Sequence, residues 1–130
     1  MAEKTPEEMR EAVLAIREKM AAAAREAGRG PAEVQLCAAC KTRTAETVAA
    51  SAALSIDVFG ENHVQELCAN FDAGAYCGKP SHFIGHLQTN KIKYIAPYVH
   101  LIESLDSERL AEAIEKEAAK CGRTIDCLLE

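Results

Sequence analysis

Short apolar runs alternate with helical stretches along almost the whole sequence, and this alternation leaves the chain few architectures. Segments 34–40, 56–59, 81–84, 99–104 and 124–129 read as strands. Segments 5–27, 44–54, 62–71, 88–96 and 107–121 carry helix signals. The first helix is the best marked: Thr5 can cap it, Pro6 suits its first position, and Glu7 and Glu8 favour the positive end of its dipole. Gly28, Gly30 and Pro31 end it. Short apolar strands separated by helices call for a parallel sheet with helices outside it.

An open doubly wound sheet and a (β/α)8 barrel both meet that description. Five strand–helix units, at about 20–25 residues each, fall short of the about 250 residues of a complete barrel. The last residues, Cys127-Leu128-Leu129-Glu130, lie in or at the end of an apolar strand. The expectation is an α/β protein of the parallel, TIM-type (β/α)8 barrel class, of which this chain covers about the first five strands. Residues 1–130 are then the N-terminal portion of a single barrel domain, preceded by a helix over 5–27.

Composition narrows the partners. Hydrophobic residues make up 48% and charged residues 27%, the profile of a soluble globular protein. The formal charge of -5 gives no global pull toward nucleic acid or anionic membrane. No apolar run approaches the about 18 residues of a membrane span. Residues 1–10 are polar and charged, with no apolar signal core, which implies a cytoplasmic protein.

Six cysteines raise the question of metal or disulfides. Cys37 and Cys40 form a C-x-x-C, but on a strand residues three apart face opposite ways, so these two thiols cannot share an ion. The spacing of Cys68, Cys77, Cys121 and Cys127 supplies no second ligand pair of the usual zinc kind. The expectation is free, structural cysteines and no metal.

In parallel α/β architectures the active site lies at the carboxyl ends of the strands. Lys41 stands there, after an uncharged run, on the same strand face as the small residues Cys37 and Ala39. Room for a ligand and partial desolvation would keep more of its amine neutral and able to attack an aldehyde. The plainer reading is a solvated lysine just past a strand. Asn62 shares parity with Ile56 and Val58 and so points into the mouth, or else caps the following helix. Glu61 has the opposite parity and faces the helix layer or solvent. In His82-Phe83-Ile84-Gly85-His86, parity leaves open whether His82 or Phe83 faces inward. His86 could titrate near neutral pH. Thr89 is a candidate cap, and Lys91 and Lys93 read as a solvated face.

Three motifs occur in order: Ala39-Cys40-Lys41-Thr42, Phe59-Gly60-Glu61-Asn62-His63-Val64-Gln65-Glu66, and His82-Phe83-Ile84-Gly85-His86-Leu87-Gln88-Thr89-Asn90-Lys91. Together with the helix over 5–27 and Ile102-Glu103-Ser104-Leu105-Asp106-Ser107, they resemble the signatures of the pyridoxal phosphate homeostasis proteins. The resemblance implies a single-domain barrel similar to the N-terminal domain of bacterial alanine racemase. It implies pyridoxal 5'-phosphate (PLP) held as a Schiff base on Lys41; by their place at the same mouth, Asn62 and either His82 or Ile84 are expected to line the ring, with Arg43 close by. It implies a carrier or buffer in vitamin B6 homeostasis, without robust catalysis, whose partners include PLP-dependent apo-enzymes and whose full-length form is a monomer. The family usually has Ser where this chain has Cys40, which parity turns away from Lys41. The family's phosphate-binding groups lie near its last strands, beyond residue 130.

Two rivals remain. A PLP-dependent, racemase-like enzyme would need a second acid/base facing Lys41, and Tyr76, Tyr94 and Tyr98 are not placed for it by the sequence. A ligand-free interaction half-barrel would self-associate through its open sheet edges.

Overall fold

The computed structural model describes residues 4–130; residues 1–3, part of the polar start of the sequence, lie outside the described residues. Helix α1 spans Pro6–Glu26, with Thr5 accepting the Glu8 N–H as its cap. A 3-10 turn, Pro31–Glu33, leads into β1, Cys37–Ala39. The order continues α2 (Ala45–Ser51), β2 (Val58–Glu61), α3 (Val64–Asp72) and β3 (Ser81–Phe83). After a 3-10 turn at Thr89–Lys91 come α4 (Ile92–Ile95), β4 (Leu101–Leu105), α5 (Glu108–Cys121) and β5 (Asp126–Leu129).

All four strand pairings are parallel, and the strands lie side by side in sequence order. That order separates the two architectures the sequence left open. A doubly wound sheet reverses direction at a switch point, whereas a barrel wall adds each strand beside the last. The fold is therefore a run of the (β/α)-barrel type.

Both core clusters lie between sheet and helices. One joins Phe83 and Ile102 to Leu67, Ile92, Ile95, Leu110 and Ile114. The other joins Cys40 and Phe59 to Val48, Ala52 and Tyr76. Full burial of a side chain such as Phe59, Phe83 or Ile102 contributes about 1.5–3 kcal/mol each. The opposite, concave face is open. Cys37 and Ala39 are exposed on it, as is Leu128 at the far edge.

Several boundaries differ from the sequence reading. Gly60 does not close β2 but lies inside it. β1 is shorter than 34–40, although Leu36 still accepts the N–H groups of Asp57 and Val58. Gln88, not Thr89, takes the cap position before the 3-10 turn. On α1 Ile16 is exposed rather than turned toward the sheet. Arg17 takes that place on the inward line between Val13 and Met20, donating to Asp57 Oδ2 at 2.6 Å and to the Ser55 carbonyl at 2.7 Å.

Candidate functional site

The carboxyl ends of β1, β2 and β3 surround a cavity of about 610 Å³. Lys41, Asn62, Glu66, Gly85, His86 and Lys91 are among the residues lining it. This volume lies within the 300–1,000 Å³ of typical small-molecule sites.

Lys41 leaves β1 at the start of a tight turn, closed by a 3.1 Å bond from the Arg43 N–H to the Cys40 carbonyl. Thr42, the third residue of that turn, has φ +65. A β-branched residue in the left-handed region is strained, at about 1–3 kcal/mol. The turn presents Lys41 to the cavity and to solvent. Among the described residues no ion pair engages its amine. The desolvation expected from sequence is not met, since Lys41 is exposed.

Asn62 is half-buried at the end of β2. The cap of α3 is His63, so Asn62 is not spent on capping. Across from it Gly85 permits an unusually close approach: a β-carbon there would stand 2.5 Å from the Asn62 carbonyl oxygen. The two strand ends thus share the cavity floor. Glu66, from the first turn of α3, brings a carboxylate to the wall, and its Oε2 is buried without a hydrogen-bond partner. Lys91 also lines the cavity, against the expectation of a purely solvated face.

The remaining sequence candidates lie elsewhere. Arg43 lines a separate, mainly apolar groove with Met9, Val13 and Val48 on the helix side of β1. The turn at Thr42 breaks strand parity and sends Arg43 away from Lys41. His82 and Ile84 point to the concave face rather than lining the cavity, while Phe83 packs in the helix-side core and is the one of the three that reaches the cavity wall. His82 Nδ1 lies 2.8 Å from Glu103 Oε2.

The two cysteines of the C-x-x-C do face opposite ways. Cys40 is buried in the helix layer, where burial, then the Glu61 carboxylate and the nearby Cys37, push its thiol up to about 12. Cys37 sits on the concave face, where partial desolvation by the surrounding strands and then the Glu103 carboxylate push its thiol up to about 11. All six cysteines are free.

Glu61 has no exposed surface, so of the two placements parity allowed, the helix layer holds. Its Oε2 accepts from Asn70 Nδ2 at 2.7 Å and from the Tyr76 hydroxyl. Burial and that bond to Glu61 hold the Tyr76 hydroxyl far above the usual tyrosine range. Sequence reasoning assigned no role to Glu66, although it falls within the second motif. The signal was its position in the first helical turn after a strand end, where a side chain reaches back over the mouth.

A parallel, sequentially ordered β/α sheet with an uncommitted lysine at the end of its first strand defines a (β/α)-barrel protein with its site at the strand ends. No protein-family model matches the chain. It is 39% identical over 115 residues to the pyridoxal phosphate homeostasis protein of Aquifex aeolicus, covering 88% of this chain and 50% of that one. A crystal structure of an unknown protein from Bifidobacterium adolescentis superposes with a TM-score of 0.86 at 35% identity, covering 95% of this chain and 54% of its own. PipY of Synechococcus elongatus, solved with PLP bound, gives a TM-score of 0.69 at 30% identity over 85% of this chain and 52% of that one. Over most of its length the chain is similar to pyridoxal phosphate homeostasis proteins, and it spans about half the length of the curated relatives it matches.

Proposed function

We propose that this chain is the PLP-binding N-terminal portion of a barrel that acts in PLP homeostasis, with Lys41 as the point of covalent attachment. The observation that carries this reading is the Lys41 amine, free of ion pairs among the described residues, at the edge of a cavity of ligand size. PLP, when bound, supplies an aldehyde that condenses reversibly with a primary amine.

The other residues fit that group. Asn62 offers an amide to a ring oxygen. Glu66 Oε2 is a buried acceptor in want of a donor. Lys41 and Lys91 favour an anionic ligand. Arg43, His82 and Ile84 fit a supporting role better than direct contact, given where they lie.

Carriage rather than turnover is the favoured activity, with PLP-dependent apo-enzymes as recipients and the cytoplasm as the compartment. No helix among the described residues is long and apolar enough to cross a membrane. Reversible attachment suits a carrier, which must also release its load. The open concave face would be covered by further strands of a complete barrel or by another copy of this chain.

The test is an absorbance titration with PLP on wild type and Lys41→Ala. Wild type should develop the absorbance of an imine, and borohydride should fix the label on Lys41. Imine absorbance that persists in Lys41→Ala would overturn the assignment. Alanine racemisation by the full chain, abolished in that variant, would overturn the carrier reading in favour of an enzyme.

A further inference from the structure

A second constellation lies on the concave face, away from the cavity. Cys37 opens β1, four residues before Lys41, which lies in the turn beyond the strand's end. Its sulfur, a ring nitrogen of His82 and a carboxylate oxygen of Glu103 all lie within 4.8 Å of one another. The three come from β1, β3 and β4.

Strands β1 and β3 are not neighbours, and their axes lie about 9.5 Å apart. A cysteine side chain cannot cover that distance over an ordinary residue of β2. Gly60 opens the path. A β-carbon at 60 would stand 2.8 Å from the Cys37 sulfur, so the sulfur occupies the space above the glycine. Gly60 pairs in register with His82, which brings the imidazole to the other side of the same gap. Ile84 Cδ1 would lie 2.8 Å from that same β-carbon and gives the site an apolar wall.

We propose that Cys37, His82 and Glu103 bind one divalent ion of the zinc class, bracing β1 to β3 and β4. A thiolate, an imidazole and a carboxylate are the donor types zinc takes, and the sulfur disfavours calcium and magnesium. Bonds of about 2.0–2.3 Å in a tetrahedral site place donors about 3.3–3.8 Å apart. The present cluster reaches that by small side-chain rotations, with the ion replacing the hydrogen bond between His82 and Glu103. Three protein ligands leave a fourth position for water. The expectation of no metal site weighed the spacing of cysteines alone; the partners of Cys37 are a histidine and a glutamate across the sheet instead. The proposal is independent of Lys41 and of PLP.

The test uses the full chain after treatment with chelator, titrated with Co²⁺ as a spectroscopic probe and then with Zn²⁺. The expected result is one cobalt per chain, with a thiolate charge-transfer band and the visible bands of a tetrahedral centre, displaced by zinc. Cys37→Ser should abolish the charge-transfer band. His82→Gln and Glu103→Gln should each weaken binding by at least the roughly tenfold that loss of even an outer-shell partner costs. Cys121→Ser, an exposed thiol outside the cluster, should change nothing. Absence of the spectrum, its survival in Cys37→Ser, or its loss in Cys121→Ser would each overturn the proposal. Zinc should also raise the melting temperature of wild type and not of Glu103→Gln. Equal shifts in both would overturn the site, and this comparison decides the matter if Cys37→Ser does not fold.

Discussion

The main chain of Asn62 fills the space that a side chain on Gly85 would need, with its Cα 2.8 Å from the position of the missing β-carbon. The atoms in the way are backbone and cannot rotate aside. Gly85→Ala should therefore push the ends of β2 and β3 apart at the floor of the cavity. The expected cost is about 1–3 kcal/mol of stability, as for other overpacked sites. PLP affinity should fall at least as steeply, because Asn62 moves with its backbone. Chemical denaturation and a PLP titration on the same variant check both. An unchanged affinity would show that Asn62 does not contact the ligand.

Beneath the site, Tyr76 ties the loop after α3 to β2 through Glu61. Glu61 is fully buried, and its Oε1 has no partner. Tyr76→Phe removes one of the two donors to Oε2 and leaves the carboxylate to Asn70 alone. A hydrogen bond to a charged group is worth about 1.5–3 kcal/mol. Thermal unfolding should register the loss. Glu61→Gln in the Tyr76→Phe background should recover part of it, since a neutral amide is cheaper to bury than an under-bonded carboxylate.

Strand parity made much of this legible in the sequence. It put Lys41 toward the mouth, allowed Asn62 there beside a capping role, and put Cys40 on the far side and Glu61 off the mouth face, because side-chain alternation is fixed by backbone geometry alone. Arg43 escaped, because a left-handed Thr42 is a feature of the turn and no sequence rule predicts it for a β-branched residue. The cluster of Cys37, His82 and Glu103 escaped for another reason. It depends on which strands lie side by side and at what register, and on a glycine in β2 that reads locally as a strand end.

Arg17 and Asp57 connect α1 to the entry of β2, and they give a pH dependence of definite sign. Burial alone would raise the Asp57 carboxyl, but the Leu36 N–H and the Arg17 guanidinium outweigh it and hold the group below its ordinary 3.8. A lowered value stabilises the fold above the ordinary value, and this is lost as pH falls through the folded one. Wild type should therefore exceed Asp57→Asn in stability by a constant margin above about pH 5, narrowing below about pH 4. Melting temperatures of the two proteins across that range check it. A margin that grows on acidification would show that the pair does not hold the carboxylate.

Thr42 stores strain next to the residue that matters most to the proposed function. Glycine takes φ near +65 without a steric penalty. Thr42→Gly should thus relieve part of the strain and raise stability by up to about 1 kcal/mol, after the entropy cost of glycine is set against it. The same change loosens the turn that presents Lys41. If the strained turn pre-organises the amine, the more stable variant should bind PLP more weakly, with faster release of the ligand. Stopped-flow absorbance on PLP release, alongside thermal melts, separates the two effects. A variant that is stabilised and binds PLP as tightly as wild type would show that the turn positions Lys41 without help from the conformation of Thr42.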